Sequence, residues 1–162
     1  MNFNWLFGWA IDDVKIFEVE GMDLALSSLT LPSAQATGSI NPITGIVTNM
    51  GVDTIQSFDL SWTIGGSIYT NNISSLAIPS LGTFNFSHTD QMQITTSGMY
   101  SLDVSISNIN GQPADSNATN DDLSMNLIAA EYGTIISGGI NRDYIYYHAS
   151  TAAANCPLVM VF

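Results

Sequence analysis

Short runs of alternating apolar and polar residues recur along the middle of this chain, and they limit its possible folds more than any other feature. Seven such runs lie between residues 24 and 127, and residues typical of turns separate them. Successive side chains of a strand point to opposite faces, so each run predicts a strand with one buried face. No segment between the runs has helical periodicity. The sequence therefore predicts an all-β protein, an antiparallel sandwich of about seven strands in two sheets.

The predicted strands alternate with recognisable turns. The strands cover residues 24–31, 43–49, 58–64, 73–78, 83–87, 99–107 and 123–127. Glycine, asparagine or proline marks the turns at residues 49–51, 65–66, 79–82, 97–98 and 110–111. Trp62 lies on a central strand and is expected to fill the core between the sheets. Tyr100 is expected to pack near the start of the strand that returns beside it.

The C-terminal residues have a pattern that a sandwich does not explain. Residues 142–148 and 156–162 predict a hairpin whose second strand is apolar at almost every position. Such a strand belongs in a sheet covered on both faces, usually a parallel one, and parallel neighbours need crossover segments. Because no residues remain to supply crossovers, we expect residues 129–162 to be the truncated start of a further domain. Residues 128–130 are predicted to form a short linker before it.

The N-terminal residues predict a strand that also lacks a partner. Apolar and polar residues alternate from Val14 to Glu20, and a single strand is not stable alone. We therefore expect residues 1–21 to be the last strand of a preceding β-module, and residues 22–128 to form the sandwich. The N-terminus lacks the basic start and the cleavage pattern of a signal peptide, so an export signal is expected further upstream.

The charge of the chain excludes several classes of partner. Lys15 and Arg142 are the only strong cations, against fourteen carboxylates, and the formal net charge is −12. This charge repels phosphate backbones and anionic lipids, so we expect no binding to nucleic acid or to such a membrane surface. No apolar run is long enough for a membrane span, so no membrane insertion is expected. Cys156 is the single cysteine, which excludes an intrachain disulfide and a four-cysteine zinc site.

Several phrases in the predicted sandwich occur in the order of a known family. Asp23-Leu-Ala-Leu, Val47-Thr-Asn-Met-Gly51 and Phe58-Asp-Leu-Ser-Trp62 are followed by Gly98-Met-Tyr-Ser-Leu-Asp-Val104 and by the acidic residues 115–122. Together these phrases resemble CARDB, the cell adhesion related domain found in bacteria. The resemblance implies an immunoglobulin-like sandwich that serves as a non-catalytic accessory module of a secreted bacterial protein, outside the cell or on its surface.

Both ends of the chain carry shorter resemblances. Gly8-Trp-Ala-Ile-Asp-Asp-Val-Lys-Ile resembles the closing strand of jelly-roll modules in secreted bacterial proteins. Residues 142–148 and the Pro157-Leu-Val start of the last strand resemble the first strands of α/β-hydrolases of the polyhydroxybutyrate depolymerase and feruloyl-esterase-like group. This second resemblance implies a parent protein that is a serine esterase, with all its catalytic residues beyond Phe162.

No catalytic set is expected within the chain itself. An α/β-hydrolase presents its serine in Gly-x-Ser-x-Gly, and no such pentapeptide occurs here. His88 and His148 are the only histidines. Each is expected at a turn or on the surface rather than as a catalytic base.

Residues 115–122 offer hard oxygen ligands of the kind that calcium prefers. They include three carboxylates and two amides, and Asp115, Asn117, Asn120 and Asp121 are the candidate ligands. The spacing differs from that of an EF-hand loop. Two interpretations stay open, a calcium site or a hairpin loop in which the side chains bond their own backbone. No other cofactor is expected.

Two functions from different classes remain. The first is a non-catalytic spacer module whose parent is an esterase or depolymerase acting on a polymer, a polyester or a polysaccharide, and whose partners are its neighbouring domains. The second is a module of an adhesin or surface protein without an enzymatic domain, which binds a cell surface or carbohydrate. Trp5, Phe7 and Trp9 occupy alternate positions, so they would share one face of an extended segment on which sugar rings can stack.

Overall fold

Ten β-strands make up the part of the chain that the structure describes. This computed structural model describes residues 21–146 and 159–160, and no helix lies within these ranges. The strands are β1 (Leu24–Leu29), β2 (Ala34–Ala36), β3 (Ile40–Asn49), β4 (Phe58–Ile64), β5 (Ser67–Ile73), β6 (Thr83–Gln93), β7 (Gly98–Ser107), β8 (Asp122–Ser137), β9 (Ile140–Tyr146) and β10 (Val159–Met160).

The strands form two sheets. One sheet has the order β1-β3-β6, and the other has the order β10-β9-β8-β7-β4-β5. Neighbours within each path are antiparallel, and β2 pairs with β8 in parallel beside the second path. The chain changes sheets between β3 and β4 and again on each side of β6, as immunoglobulin-like sandwiches do. The predicted antiparallel β-sandwich is therefore confirmed.

The core lies between the two sheets and follows the alternation of each strand. Every second residue of β4 is buried, and the same alternation recurs in β3 and at the end of β7. Trp62 is only 2% exposed, and its ring stacks on that of Tyr69 with a centroid distance of 4.1 Å. The prediction that Trp62 fills the core is confirmed. The buried side chains around it include Leu24, Leu26, Val47, Phe58, Leu60, Phe86, Leu102, Val104 and Leu127.

The hairpin of β4 and β5 corrects one predicted strand. Gly65 and Gly66 have φ angles of 57° and 82°, and a two-residue turn with positive φ at both positions matches the twist of the strands that it joins. The next strand is therefore β5, whereas the predicted strand at residues 73–78 is wrong. Most of that segment is a loop in which Ile78 bridges to Ile55. Because β5 is a largely exposed edge strand, it lacks the apolar alternation that reveals a strand in a sequence.

Tyr100 anchors the start of β7. Its hydroxyl donates a hydrogen bond to the carbonyl of Thr96 at 2.9 Å, a tyrosine corner of the kind found in immunoglobulin-like sandwiches. Tyr100 pairs with Leu127, in the middle of β8 and not near its start as predicted. The antiparallel direction explains this difference, because the first residues of β7 face later residues of β8.

Strand β8 crosses the predicted linker without a break. Residues 128–130 lie inside this 16-residue strand, where Ile128 pairs with both Met99 and Ala34 and where Ala129 and Ala130 are buried. The linker prediction is wrong because the two alanines continue the strand, where they pair with Gln35 and Ala36 of β2. The predicted domain limits at residues 21 and 129 stay predictions. Pairing of β9 with β10 agrees with the C-terminal hairpin expected from the sequence.

His88 is buried inside β6, so its predicted position at a turn or on the surface is wrong. The side chain is only 3% exposed, and its Nδ1 accepts a hydrogen bond from the backbone N–H of Asp90 at 2.9 Å. The error arises because β6 continues to Gln93, through polar residues that hide its alternation. The ring meets Trp62 edge-on at a centroid distance of 6.0 Å, which is a packing role.

Several predictions fall on residues that lie outside the described ranges. They are the N-terminal strand with its jelly-roll resemblance, the aromatic positions 5, 7 and 9, His148, Cys156 and the burial of the last strand. For the described residues, no helix has the length and the apolar character that a membrane span requires.

Candidate cation site

The acidic residues predicted from the sequence lie at one end of the sandwich, between the last turn and the start of β8. Residues 115–121 lie beside the residues that precede β1, and Asn120 donates from Nδ2 to Oδ1 of Asp23 at 2.9 Å. The carbonyl of Asn120 also accepts the N–H of Leu26 at 2.8 Å. The fold thus brings Asp23, more than ninety positions earlier in the sequence, to the predicted ligands.

Asp115 and Asn117 form the turn that begins this segment. Oδ1 of Asp115 accepts the backbone N–H of Asn117 at 3.0 Å, and its Oδ2 accepts the N–H of Leu24 at 2.7 Å. Oδ1 of Asn117 accepts the hydroxyl of Thr119 at 2.6 Å. These contacts are those of an Asx turn, in which an aspartate bonds the backbone two residues later. Asp115 and Asn117 therefore have structural roles that would exist without a cation.

Asn120 and Asp121 differ from the first two candidates because each has a buried oxygen without a donor. Within the described ranges, Oδ1 of Asn120 and Oδ1 of Asp121 have no hydrogen-bond partner. Asp121 is 8% exposed. A buried carboxylate oxygen without a partner is costly, so such an atom indicates a missing ligand or a bound proton.

The surroundings of Asp121 favour the proton when no cation is bound. Burial, followed by the negative charges of Asp115, Asp122 and Asp23, raises the pKa of Asp121 from its ordinary value of 3.8 to about 6. The same arrangement also favours a bound cation, because a divalent ion would neutralise carboxylates that otherwise repel one another. A proton and a cation therefore compete for this carboxylate.

The donor set fits a hard cation, although it is not a preformed metal centre. Its oxygens come from carboxylates and an amide, the ligands that calcium takes. No group of three or more histidine, cysteine, aspartate or glutamate residues in the described part of the chain is arranged as a metal site. Asp121 and Asn120 are the residues with an oxygen free to bind, while Asp115 and Asp23 lie beside them with oxygens that already accept hydrogen bonds.

Sequence reasoning found the segment but missed Asp23. This residue opens one of the phrases of the CARDB resemblance, yet its distance along the chain gave no sign that it meets Asn120. Only the pairing of β1 with β3 and the position of the last turn bring the two side chains together.

Substitution of Asp121 by asparagine is expected to stabilise the cation-free protein at neutral pH. Because the folded-state pKa lies above the unfolded value, the stability that this group contributes is complete below about pH 4 and is lost as the pH rises through about 6. The variant lacks this loss, so its advantage should grow to about 1 kcal/mol above pH 6 when solvent screening is allowed for. Urea denaturation with a chelator, at acidic and at neutral pH, measures it.

The control for this experiment is Asp103→Asn. Asp103 lies on β7, accepts the hydroxyl of Ser124 at 2.6 Å and is not among the residues that raise the pKa of Asp121. If the stability difference between wild type and Asp121→Asn stays constant with pH, the pKa of Asp121 is not raised by burial and the neighbouring carboxylates.

A shallow cleft occupies the opposite end of the sandwich. Its volume is about 250 Å³, and the rings of Tyr69 and Tyr100 line it together with Gln93 and Thr96. The amide of Gln93 already donates to the carbonyl of Gly38, and the Tyr100 hydroxyl donates to Thr96. We assign this cleft no ligand.

Comparison with solved structures identifies the fold of the sandwich. No protein-family model and no curated protein matches the chain. The crystal structure of the CARDB domain of a Pyrococcus furiosus protein, in complex with di-metal ions, matches with a TM-score of 0.57 and 16% identity, over 70% of this chain and 97% of that one. The sandwich has the CARDB fold.

Two further solved structures agree with this assignment. A solution structure of the same Pyrococcus furiosus CARDB domain matches with a TM-score of 0.52 and 18% identity, over 68% of this chain and 97% of that one. A domain of a Methanosarcina acetivorans protein, assigned provisionally to the cell surface, matches with a TM-score of 0.51 and 22% identity, over 69% and 93%. The CARDB resemblance read from the sequence is confirmed at the level of the fold, while the α/β-hydrolase resemblance stays a prediction.

Proposed function

We propose that this chain is a non-catalytic spacer module of a protein outside the cell or on its surface. The main support is where the chain enters the sandwich and where it leaves it. Residues 21–24 join the sandwich beside residues 115–121, and β8 starts at that same end, crosses the sandwich beside β7 and continues to Ser137. A chain that enters at one end and leaves at the other suits a spacer between domains in series.

The fold supports a place outside the cell. CARDB sandwiches match this chain over more than two-thirds of its length, and one neighbour belongs to a protein assigned provisionally to the cell surface. The low content of basic residues and the net charge of −12 suit a partner other than nucleic acid.

Strands β8 and β9 support contact with a neighbouring domain. Beyond Ala130 the sheet narrows to β8, β9 and the two-residue strand β10, and Tyr132, Ile136 and Ile140 are exposed there. So narrow a sheet is marginal in water, and contact with a further domain would cover these exposed apolar side chains. The adjoining domain of the parent chain is the partner that this position favours.

For the parent protein we favour a secreted serine esterase or depolymerase that acts on a polyester or polysaccharide. The support is the resemblance of residues 142–148 and of Pro157-Leu-Val to the first strands of such enzymes. In the parent gene, a His-Gly turn after Phe162 and a later Gly-x-Ser-x-Gly would support this parent. Further β-repeats without that pentapeptide would instead support the adhesin.

The module itself is expected to lack hydrolase activity. The described residues place His88 in the core and give it no serine partner in the contacts that they make, so no base is positioned for a nucleophile. Incubation of the purified chain with p-nitrophenyl esters and with insoluble polyester should give no turnover above buffer. Turnover that a serine-reactive phosphonate abolishes would overturn the non-catalytic assignment.

We also propose calcium as the cation for Asp121 and Asn120, with Asp115 and Asp23 beside them. The bound ion would satisfy the two orphan oxygens and neutralise the clustered charge. For an affinity on the order of 10⁻³ M, typical of extracellular modules, about 10 mM calcium would stabilise the fold by roughly 1.4 kcal/mol. The melting temperature should then rise by about 5 °C over a sample with chelator. Equal melting temperatures in calcium and in chelator would contradict the calcium proposal.

A further inference from the structure

The residues that lead into β1 are held between two loops. We call residues 21–24 the N-terminal junction. We infer that a divalent cation bound at Asp121 locks this junction onto the sandwich, so that calcium sets the stiffness with which the module joins whatever precedes it. The inference rests on the calcium site proposed above and adds a mechanical consequence to it.

One side of the junction is held by neutral backbone contacts. The carbonyl of Asp23 accepts hydrogen bonds from the backbone N–H groups of Met50 and Gly51, at 2.7 and 3.1 Å. The carbonyl of Gly21 accepts a hydrogen bond from the backbone N–H of Asp53 at 2.7 Å. The junction lies so close to this loop that a Cβ at Gly51 would come within 2.8 Å of the Gly21 carbonyl oxygen. These contacts carry no net charge and do not depend on a cation.

The other side of the junction is held by the acidic segment. The N–H of Leu24 donates to the carboxylate of Asp115 at 2.7 Å. The carbonyl of Met22 accepts both the backbone N–H and the hydroxyl of Ser116, at 3.1 and 2.6 Å. Asn120 reaches Asp23 through its side-chain amide. This side of the junction is therefore bonded to the same short acidic segment that contains Asp121.

Negative charge makes the attachment of the N-terminal junction to residues 115–121 dependent on a bound cation. Asp23 contacts Asn120, which directly precedes Asp121, and Asp115 contacts Leu24, which directly follows Asp23, so negative charges gather on this side and repel one another. Arg142, the one strong cation within the described residues, lies on β9, beyond the opposite end of the sandwich. Without a counterion the three carboxylates weaken the attachment of the junction to residues 115–121. A divalent ion bound at Asp121 would offset this negative charge and so strengthen the attachment.

Hydrogen exchange reports this locking at named amides. Calcium at about 10 mM is expected to slow exchange at Leu24, Ser116 and Asn117 by roughly tenfold relative to chelator, because local opening must then break the cation contacts. The N–H of Ile128 bonds the carbonyl of Ser33 at the opposite end of the sandwich and is the internal control. Its exchange should change by much less than that of the three junction amides.

Substitution of Asp23 distinguishes the locking of the junction from the binding of calcium. In Asp23→Asn the calcium-dependent slowing at Leu24 should fall to less than half its wild-type value, whereas Asp103→Asn should retain it. Calcium binding is measured on the same samples by titration calorimetry. If calcium binds but the junction amides exchange as fast as with chelator, the locking is overturned while the calcium site stands. If calcium does not bind, both are overturned, and the spacer function remains to be judged by the hydrolysis assay alone.

Discussion

Replacement of Trp62 by alanine is expected to lower the free energy of unfolding by about 4 kcal/mol. The side chain is almost fully buried, its ring stacks on Tyr69, and it meets His88 edge-on. Alanine would leave a cavity that β4 cannot move to close, since it is paired with β5 on one side and with β7 on the other. Urea denaturation of the purified chain measures the loss as a shift of the transition midpoint with little change in slope.

The matched control for this cavity is Trp62→Phe. Among the described residues the indole Nε1 of Trp62 has no hydrogen-bond partner, so phenylalanine removes volume without breaking a hydrogen bond. We expect it to cost about 1–2 kcal/mol, clearly less than alanine. A cost below about 1 kcal/mol for Trp62→Ala would show that the core does not depend on this ring.

Replacement of Asn49 by alanine is expected to cost about 3 kcal/mol. Asn49 is fully buried, and its amide Nδ2 donates to the carbonyls of Asp53 and Ile78 at 2.8 and 3.0 Å. Its Oδ1 accepts the N–H of Gly51 at 3.1 Å. Alanine would remove these three hydrogen bonds, at roughly 1 kcal/mol for each, while the N–H of Gly51 and the carbonyl of Ile78 keep their backbone partners Asp23 and Ile55.

Asn85→Ala is the control for the loss of an asparagine from a strand. Asn85 is exposed on β6, so its substitution should change stability by about 0.5 kcal/mol or less. Thermal or urea denaturation of both variants gives the comparison. Similar stability of the two variants would mean that the Asn49 hydrogen bonds are replaced by water and do not hold the loop.

The sequence predicted the sandwich because buried strands leave a clear pattern. β4 and β7 alternate along their whole predicted length, and the Trp62 position follows directly from that alternation. β5 was missed because an edge strand has no buried face to mark. The course of β8 through residues 128–130 was missed because β2, which pairs with it there, is distant in the sequence.

The candidate cation site was predictable in part, because several of its residues are close together in the sequence. Asp115 to Asp121 are close in sequence, so composition alone marked them as oxygen donors. Which of them are already engaged depends on three-dimensional contacts: Asp115 and Asn117 serve the turn, whereas Asn120 and Asp121 retain free oxygens. Asp23 and the buried position of His88 both depend on strand pairing, which no local pattern encodes.

Calcium titration by isothermal calorimetry at neutral pH tests whether this end of the sandwich holds a cation beside the N-terminal junction. We expect saturable heat for the wild-type chain, with a dissociation constant on the order of 10⁻⁴–10⁻³ M. The heat should be lost in Asp121→Asn and retained in Asp103→Asn. No saturable heat in the wild type, or equal heat in Asp121→Asn, would contradict it.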